Sequence, residues 1–187
     1  GILELDLHGM TVWQAQNAID AKLRSAKAGT YRLRLIHGYH GGTQLQSMID
    51  RFRAVFPRKT RIVNIRKYPF RGGCLGCFGC AISGKCVYTD GFDEYLRNEI
   101  QTAESIVYAF SICDHSMGAV FKQYNDREFC NGHRTVTMGM PVGYLISGNY
   151  SEEYNLQMIV EARSEVGGNF LAGVATDEFH PNEEIDA

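Results

Sequence analysis

The chain has 187 residues, 44% of them hydrophobic, and carries a formal net charge of −2 at pH 7. No apolar stretch approaches the roughly 20 residues that a membrane-spanning helix needs. The six cysteines do not indicate a disulfide scaffold, because a chain of this length can bury an ordinary core. The composition therefore excludes a membrane-spanning protein and a small disulfide-rich secreted one, and we expect a cytoplasmic protein of one or two domains.

The charge is divided unevenly along the chain. Residues 1–71 contain 13 Lys and Arg against 4 Asp and Glu, whereas residues 72–187 contain 6 against 17. The segment 22–71, called the basic segment below, has the density of positive charge that binds a nucleic-acid phosphate backbone. Charge alone predicts equally well a solvated basic face that the acidic remainder of the chain balances.

Hydrophobic periodicity predicts a βαβαβ order for the first 65 residues. Residues 2–7 alternate like a strand, and Thr11 opens a helix because Gln14 completes a Thr-x-x-Gln capping box. A strand at 31–36, a glycine-rich loop, a helix over 43–56 and a strand at 60–65 follow, which favours a largely parallel sheet. The core faces of the two helices are expected to contain Val12, Ala15, Ile19 and Leu23, and then Leu45, Met48, Ile49, Phe52 and Phe56.

Two motifs at the ends of the first two strands carry a family resemblance. They are Leu5-Asp6-Leu7-His8-Gly9 and Ile36-His37-Gly38-Tyr39-His40-Gly41-Gly42-Thr43. Over about residues 2–65 the chain resembles the Smr (small MutS-related) domain without its last Gly-x-Thr-x-Val-x-Leu strand. The resemblance implies nucleic-acid binding, with nicking or RNA cleavage in some members, and a catalytic set of Asp6, His8 and His37. Without the resemblance, the same histidines are predicted to cap and hydrogen-bond the loop ends.

Four cysteines follow this unit in a CxxCxxCx5C run, at Cys74, Cys77, Cys80 and Cys86. Glycines between them permit the turns that would bring the thiolates together. A compact triplet with a nearby fourth cysteine is typical of ferredoxin-type runs, so the spacing predicts a 4Fe-4S cluster. Structural zinc more often uses two separated pairs of ligands, and reduced thiols without a metal are the third alternative.

The rest of the chain predicts alternating helices and strands. Asp90 is expected to cap a helix that reaches about residue 103 and turns Phe92, Tyr95, Leu96 and Ile100 inward. Strands at 105–110, 142–147 and 170–175 alternate with helices at 120–126 and 151–166. The loops 111–118 and 148–150 follow two of these strands, at the edge where open α/β sheets bind ligands.

Residues 68–187 resemble the flavodoxin-like NAD(P)H-dependent FMN reductases, including the iron-sulfur flavoproteins among them. The resemblance is carried by the cysteine run, Thr89-Asp90, Ile106-Val107-Tyr108-Ala109-Phe110-Ser111, Phe121-Lys122, Asp126-Arg127 and Ile146-Ser147-Gly148. It implies FMN, a 4Fe-4S cluster beside it, and a nicotinamide cofactor or a protein as electron donor. It also implies flavin contacts on one side from Phe110, Ser111, Ile112, Cys113, Asp114, His115 and Ser116, and on the other from Ser147, Gly148, Asn149 and Tyr150.

That family begins with a phosphate-binding βαβ unit, which residues 68–187 lack. We therefore hypothesise that the Smr-like unit replaces it, so that Gly41, Gly42 and Thr43 at a helix start bind the FMN phosphate. The expected fold is α/β and flavodoxin-like, a mostly parallel sheet with helices on both faces. A basic Smr-like part at 1–67 and an acidic reductase-like part at 68–187 would stand apart or share one continuous sheet.

The expected function is that of a homo-oligomeric flavin-dependent NAD(P)H oxidoreductase or electron-transfer flavoprotein. The alternative is an Smr-type nucleic-acid-binding or nicking module, which would bind nucleic acid through the basic segment.

Overall fold

The computed structural model of the chain describes residues 2–7, 10–26, 32–36, 43–134 and 136–187. Four predicted site residues lie outside the described residues, namely His8, His37, Gly41 and Gly42. The first elements are β1 (Ile2–Asp6), α1 (Val12–Arg24), β2 (Arg32–Ile36) and α2 (Thr43–Val55). β1 and β2 are parallel, and their register places Asp6 opposite Ile36 at the carboxyl end of both strands.

The later elements, in chain order, are α3 (Gly79–Ser83), α4 (Phe92–Tyr95), β3 (Ile106–Ser111), α5 (Ala119–Arg127), α6 (Phe129–Gly132), β4 (Pro141–Ser147), α7 (Tyr154–Gly167), β5 (Phe170–Thr176) and α8 (Pro181–Asp186). β4 lies between β3 and β5, and all three strands are parallel. The predicted α/β class with parallel strands is therefore confirmed. The described strands form two sheets, β1-β2 and β3-β4-β5, rather than one continuous sheet.

Helices cover both faces of the three-stranded sheet. On one face, Phe121 of α5 and Leu156 and Val160 of α7 pack with Tyr144 and Ile146 of β4. On the other face, Met48 of α2 packs with Leu145 and Ala175, and Ile185 of α8 lies beside them. α2 belongs to the Smr-like part of the sequence, so the two predicted parts share a hydrophobic core.

The capping box predicted for α1 is confirmed. The backbone N–H of Gln14 donates to Thr11 Oγ1 at 3.2 Å, and the N–H of Thr11 donates to Gln14 Oε1 at 2.9 Å. The buried face predicted for this helix is only partly correct, because Leu23 is 53% exposed. Among the described strands, the sheet next to α1 in sequence consists of β1 and β2. A sheet of two strands covers little of a helix of 13 residues.

The strand predicted at 60–65 is wrong. Residues 59–64 have no regular secondary structure, and residues 65–67 form a 3₁₀ turn. Asn64 begins this turn, because its side chain accepts the backbone N–H of Arg66 at 3.1 Å and so competes with strand pairing. Val63 and Ile65 are instead held by their side chains, which pack against the cluster around Phe92.

The helix predicted at 90–103 is shorter and less regular than expected. α4 continues as a wide π turn over Leu96–Ile100. Phe92, Leu96 and Ile100 are buried as predicted. Asp90 precedes the helix and accepts the backbone N–H of Phe92 at 3.3 Å. Among the described residues, no helix has both the length and the apolar character that are needed to cross a membrane.

Met48→Ala tests whether α2 is part of the core of the three-stranded sheet. Met48 is 2% exposed, and a buried Met→Ala change leaves a cavity that costs about 2–5 kcal/mol. We expect urea unfolding to report a loss of that size. Val55→Ala is the matched control, because Val55 ends the same helix and is 38% exposed. Equal losses for both variants would contradict the shared core.

Candidate functional site

All four cysteines of the predicted cluster motif line one cavity. Its empty volume is about 340 Å³, counting space that is open to solvent. A fifth cysteine, Cys130 of α6, lines the same cavity and is 6% exposed. The remaining lining residues are Leu75, Phe78, Val87, Tyr88, Arg127 and Phe129. The structure therefore brings the predicted ligand set together in a largely apolar setting.

Two glycines give the cysteine loop its shape. Gly76 and Gly84 have φ angles of +63° and +71°, a left-handed conformation that favours glycine. Gly84 ends α3, and its backbone N–H donates to Cys80 O at 2.9 Å. The expectation that glycines permit the turns of this loop therefore holds at these two positions. Gly79, by contrast, begins α3.

The cysteines are thiols, and none of the six forms a disulfide. Burial raises the pKa of Cys80, and it raises the pKa of Cys130 to about 12. Within the described ranges, no three His, Cys, Asp or Glu side chains close around a position for one metal ion. A zinc ion requires its thiolates at about 2.3 Å from a common centre, whereas a cluster takes one thiolate on each of several iron atoms. The cluster and zinc predictions therefore stay predictions, and what the structure adds is that the four thiols line one cavity.

A buried ion pair fastens the two ends of the cysteine loop. Arg127 donates to both carboxylate oxygens of Asp90, at 2.8 and 2.9 Å, and to Gly72 O at 3.1 Å. The two charged side chains are 1% and 3% exposed. The hydrogen bonds of Asp90 to Arg127 hold the pKa of the carboxyl at about 2. Gly72 precedes the first cysteine and Asp90 follows the last, so this pair fixes the entry and exit of the loop.

One donor of Arg127 has no partner. Its Nε is buried and makes no hydrogen bond to the described residues. The guanidinium carbon lies 4.5 Å from the ring centre of Tyr88 and 5.3 Å from that of Phe92. Neither Arg127 nor Cys130 was expected at this site from the sequence. Arg127 and Cys130 are three residues apart in the sequence, a spacing that places two side chains on the same side of a helix. This spacing was the sequence signal that could have indicated their proximity.

The loops predicted to contact a flavin also lie together, at the carboxyl edge of β3 and β4. Ser111 is opposite Ser147 in the strand register, and the N–H of Ile112 donates to Ser147 O at 2.8 Å. Asp114 and His115 have φ angles of +51° and +58°. Two consecutive non-glycine residues in this conformation are uncommon and are concentrated at functional sites.

Several hydrogen-bond donors of these loops are already engaged. Asp177, which follows β5, accepts Ser147 Oγ at 2.6 Å and the N–H of Gly148 at 2.8 Å. The N–H groups of Cys113, Ser116 and Tyr150 donate to carbonyls within the loops. His115 contacts Glu153 at 2.8 Å, and this hydrogen bond raises the pKa of the imidazole. Asp177 and Glu153 were not predicted at this edge.

The Smr-like motifs belong to a different sheet. Its two strands β1 and β2 end at the same edge, with Asp6 opposite Ile36. Gln44 Nε2 near the start of α2 donates to Met10 O at 3.5 Å, so the loop after β1 contacts this helix start. Asp6 is described, but its predicted partners His8 and His37 are not. Thr43 begins α2, as the phosphate hypothesis requires. Gly41 and Gly42, the other two residues of that hypothesis, lie outside the described residues.

Part of the basic segment is neutralised within the chain. Arg51 pairs with Asp186, Arg58 with Glu104 and Arg61 with Glu99. Every one of these acidic partners belongs to the acidic part of the sequence. The solvated, balanced face that the charge pattern also predicted is therefore correct for these three arginines. Among described residues, Arg66 and Lys67 make no such ion pair.

A model of one known family matches the chain. The Smr domain model matches residues 5–77, from β1 into the cysteine run. It supports the Smr resemblance and extends past its expected end at residue 65. No curated protein and no solved structure matches the chain. These comparisons lend no support to the reductase resemblance of residues 68–187.

Asp90→Asn should destabilise the protein at neutral pH. The folded pKa of about 2 lies below the ordinary 3.8, which corresponds to about 2 kcal/mol of stability above pH 4. Because the pKa is lowered, this stability is lost as pH falls from about 4 to 2. Urea unfolding of variant and wild type should therefore differ at pH 7 and converge toward pH 2. Asp126→Asn, which removes a surface pair with Lys122, should change little.

Proposed function

We propose that the Smr-like part of this chain binds nucleic acid. The observation that carries the proposal is the family match over residues 5–77. The strand register supports it, because β1 and β2, which the two motifs follow in sequence, end at the same edge of their sheet. Nicking or RNA cleavage is a finer proposal, in which Asp6, His8 and His37 act together as acid, base or phosphate ligand.

The phosphate contacts are assigned to the unpaired part of the basic segment. Arg51, Arg58 and Arg61 have acidic partners within the chain, which reduces their attraction for phosphate. Lys67 instead lines a cavity of about 400 Å³ beside Tyr68 and Tyr95. Tyr68 and Tyr95 are partly buried, and a cation next to aromatic rings is typical of surfaces that bind single strands, where bases stack on rings.

A second function is favoured by a separate observation, the cysteine cavity. In this second proposed function, the chain is an electron-transfer protein or oxidoreductase. Four thiolates hold a 4Fe-4S cluster, those of Cys74, Cys77, Cys80 and Cys86. Such a cluster supplies one-electron transfer. Two observations support this proposal: the four cysteines line one cavity, and the buried Arg127 Nε beside them lacks an acceptor among the described residues.

FMN remains part of this second proposal. The adjacent loops after β3 and β4 are the candidate site, with a nicotinamide cofactor or a protein as electron donor. Because the amides of Gly148 and Ser116 are engaged within the protein, the backbone amides of Asp114, His115 and Asn149 are the proposed hydrogen-bond donors to the flavin. Phosphate binding at Gly41, Gly42 and Thr43, and a homo-oligomeric state, stay proposals as well.

The nucleic-acid proposal predicts salt-sensitive binding that depends on Arg66 and Lys67. Fluorescence anisotropy with labelled single-stranded RNA should give an affinity that falls as salt rises. Replacing both residues by Gln should weaken binding and reduce the salt slope by about 0.7 for each lost phosphate contact. The double variant Arg58→Gln, Arg61→Gln is the charge-matched control and should lose less. Equal losses, or no binding by the wild type at low salt, would argue against this footprint.

The cluster proposal predicts that iron and sulfide bind in equal amounts. Anaerobic reconstitution should give a brown protein, and a flavin would add its own absorption bands. Cys77→Ser should lower the iron content severalfold, because one thiolate ligand is lost. Cys113→Ser is the control, since Cys77 and Cys113 are both exposed thiols but only Cys77 lines the cavity. Equal iron contents in the two variants would contradict the assignment of Cys77 as a cluster ligand.

A further inference from the structure

Arg127 is a buried side chain whose hydrogen bonding is incomplete, and Asn131, whose Oδ1 lacks a partner, is another among the described residues. Arg127 is 1% exposed and has five N–H donors. Nη1 and Nη2 donate to Asp90 and to Gly72 O, whereas Nε has no acceptor among the described residues. Buried donors are nearly always paired, so this donor calls for an acceptor such as an ordered water, an ion or a bound group.

The guanidinium of Arg127 is held on several sides. Its fork donates to both oxygens of Asp90, and its central carbon lies 4.5, 5.3 and 5.9 Å from the ring centres of Tyr88, Phe92 and Phe70. Arg127 also lines the cavity that the four cysteines line. An unpaired donor is therefore held in place on a residue beside the thiols.

We propose that Arg127 Nε–H donates a hydrogen bond to a sulfur atom of the cluster or of its cysteine ligands. This inference rests on the second proposed function, the cluster in the cysteine cavity. Arg127 is then a positioning residue with two tasks. Through Asp90 and Gly72 it fixes the ends of the loop, and through Nε it contacts the electron-accepting group.

The second task has an electrostatic consequence. A cluster that takes up one electron becomes more negative, and a charge-assisted hydrogen bond to sulfur stabilises this reduced form more than the oxidised form. The contact therefore raises the reduction potential. A residue that only held the loop together would change the amount of cluster bound but not its potential.

Three variants separate these roles after anaerobic loading with iron and sulfide. Arg127→Lys keeps the charge but loses the Nε donor, and we expect a more negative midpoint potential in a dithionite titration. Asp90→Asn keeps the donor and removes a negative charge, so its potential should move in the positive direction. Arg97→Lys is the control, because Arg97 contacts the same loop at Gly84 O without lining the cavity, and its potential should stay unchanged.

A measurement on the wild type tests the proposal if the Arg127→Lys variant does not fold or does not bind iron and sulfide. Protein labelled with ¹⁵N at the arginine Nε should show a nitrogen coupling in pulsed EPR of the reduced cluster. No coupling, or an unchanged potential in a loaded Arg127→Lys variant, would overturn the role of Arg127 and leave the cluster proposal standing. Failure of the wild type to bind iron and sulfide would overturn both.

Discussion

The ion pair between Arg127 and Asp90 is the interaction on which the cysteine site depends. Through Arg127 at the end of α5, it joins Gly72, two residues before the first cysteine, to Asp90, four residues after the last one. A buried pair is weak evidence for stability as such, because removing both charges from water is costly. Its value here is geometric: a loop with two exposed cysteines keeps its ends at fixed positions on the core.

α2 has a comparable importance for the fold. It follows β2 in the part of the chain that matches the Smr domain, yet its buried residue Met48 packs on Leu145 of the other sheet. The two sequence parts are thus joined through a common core as well as through the chain. Ion pairs such as Arg58 with Glu104 join the same parts at the surface, where each contributes little alone.

The two proposed functions use separate edges of the molecule. The Smr-like edge lies at the ends of β1 and β2, whereas the flavin candidate loops lie at the ends of β3 and β4. Asp177 engages the donors of the second edge, so any flavin there would depend on ring contacts and on few remaining amides. The residues that line the cysteine cavity belong to neither of these edges. Arg127 Nε beside it is a buried donor that has no acceptor among the described residues.

Local signals in the sequence were enough to predict the capping box at Thr11, because its two hydrogen bonds join residues three apart. The cluster prediction for the CxxCxxCx5C run rests on the same kind of local spacing. Sequence pattern failed at residues 60–65, because it cannot tell whether a partner strand is present. Only the tertiary structure placed Arg127 and Cys130 beside the cysteines and Asp177 against the loop at Gly148, since these contacts join residues that are distant along the chain.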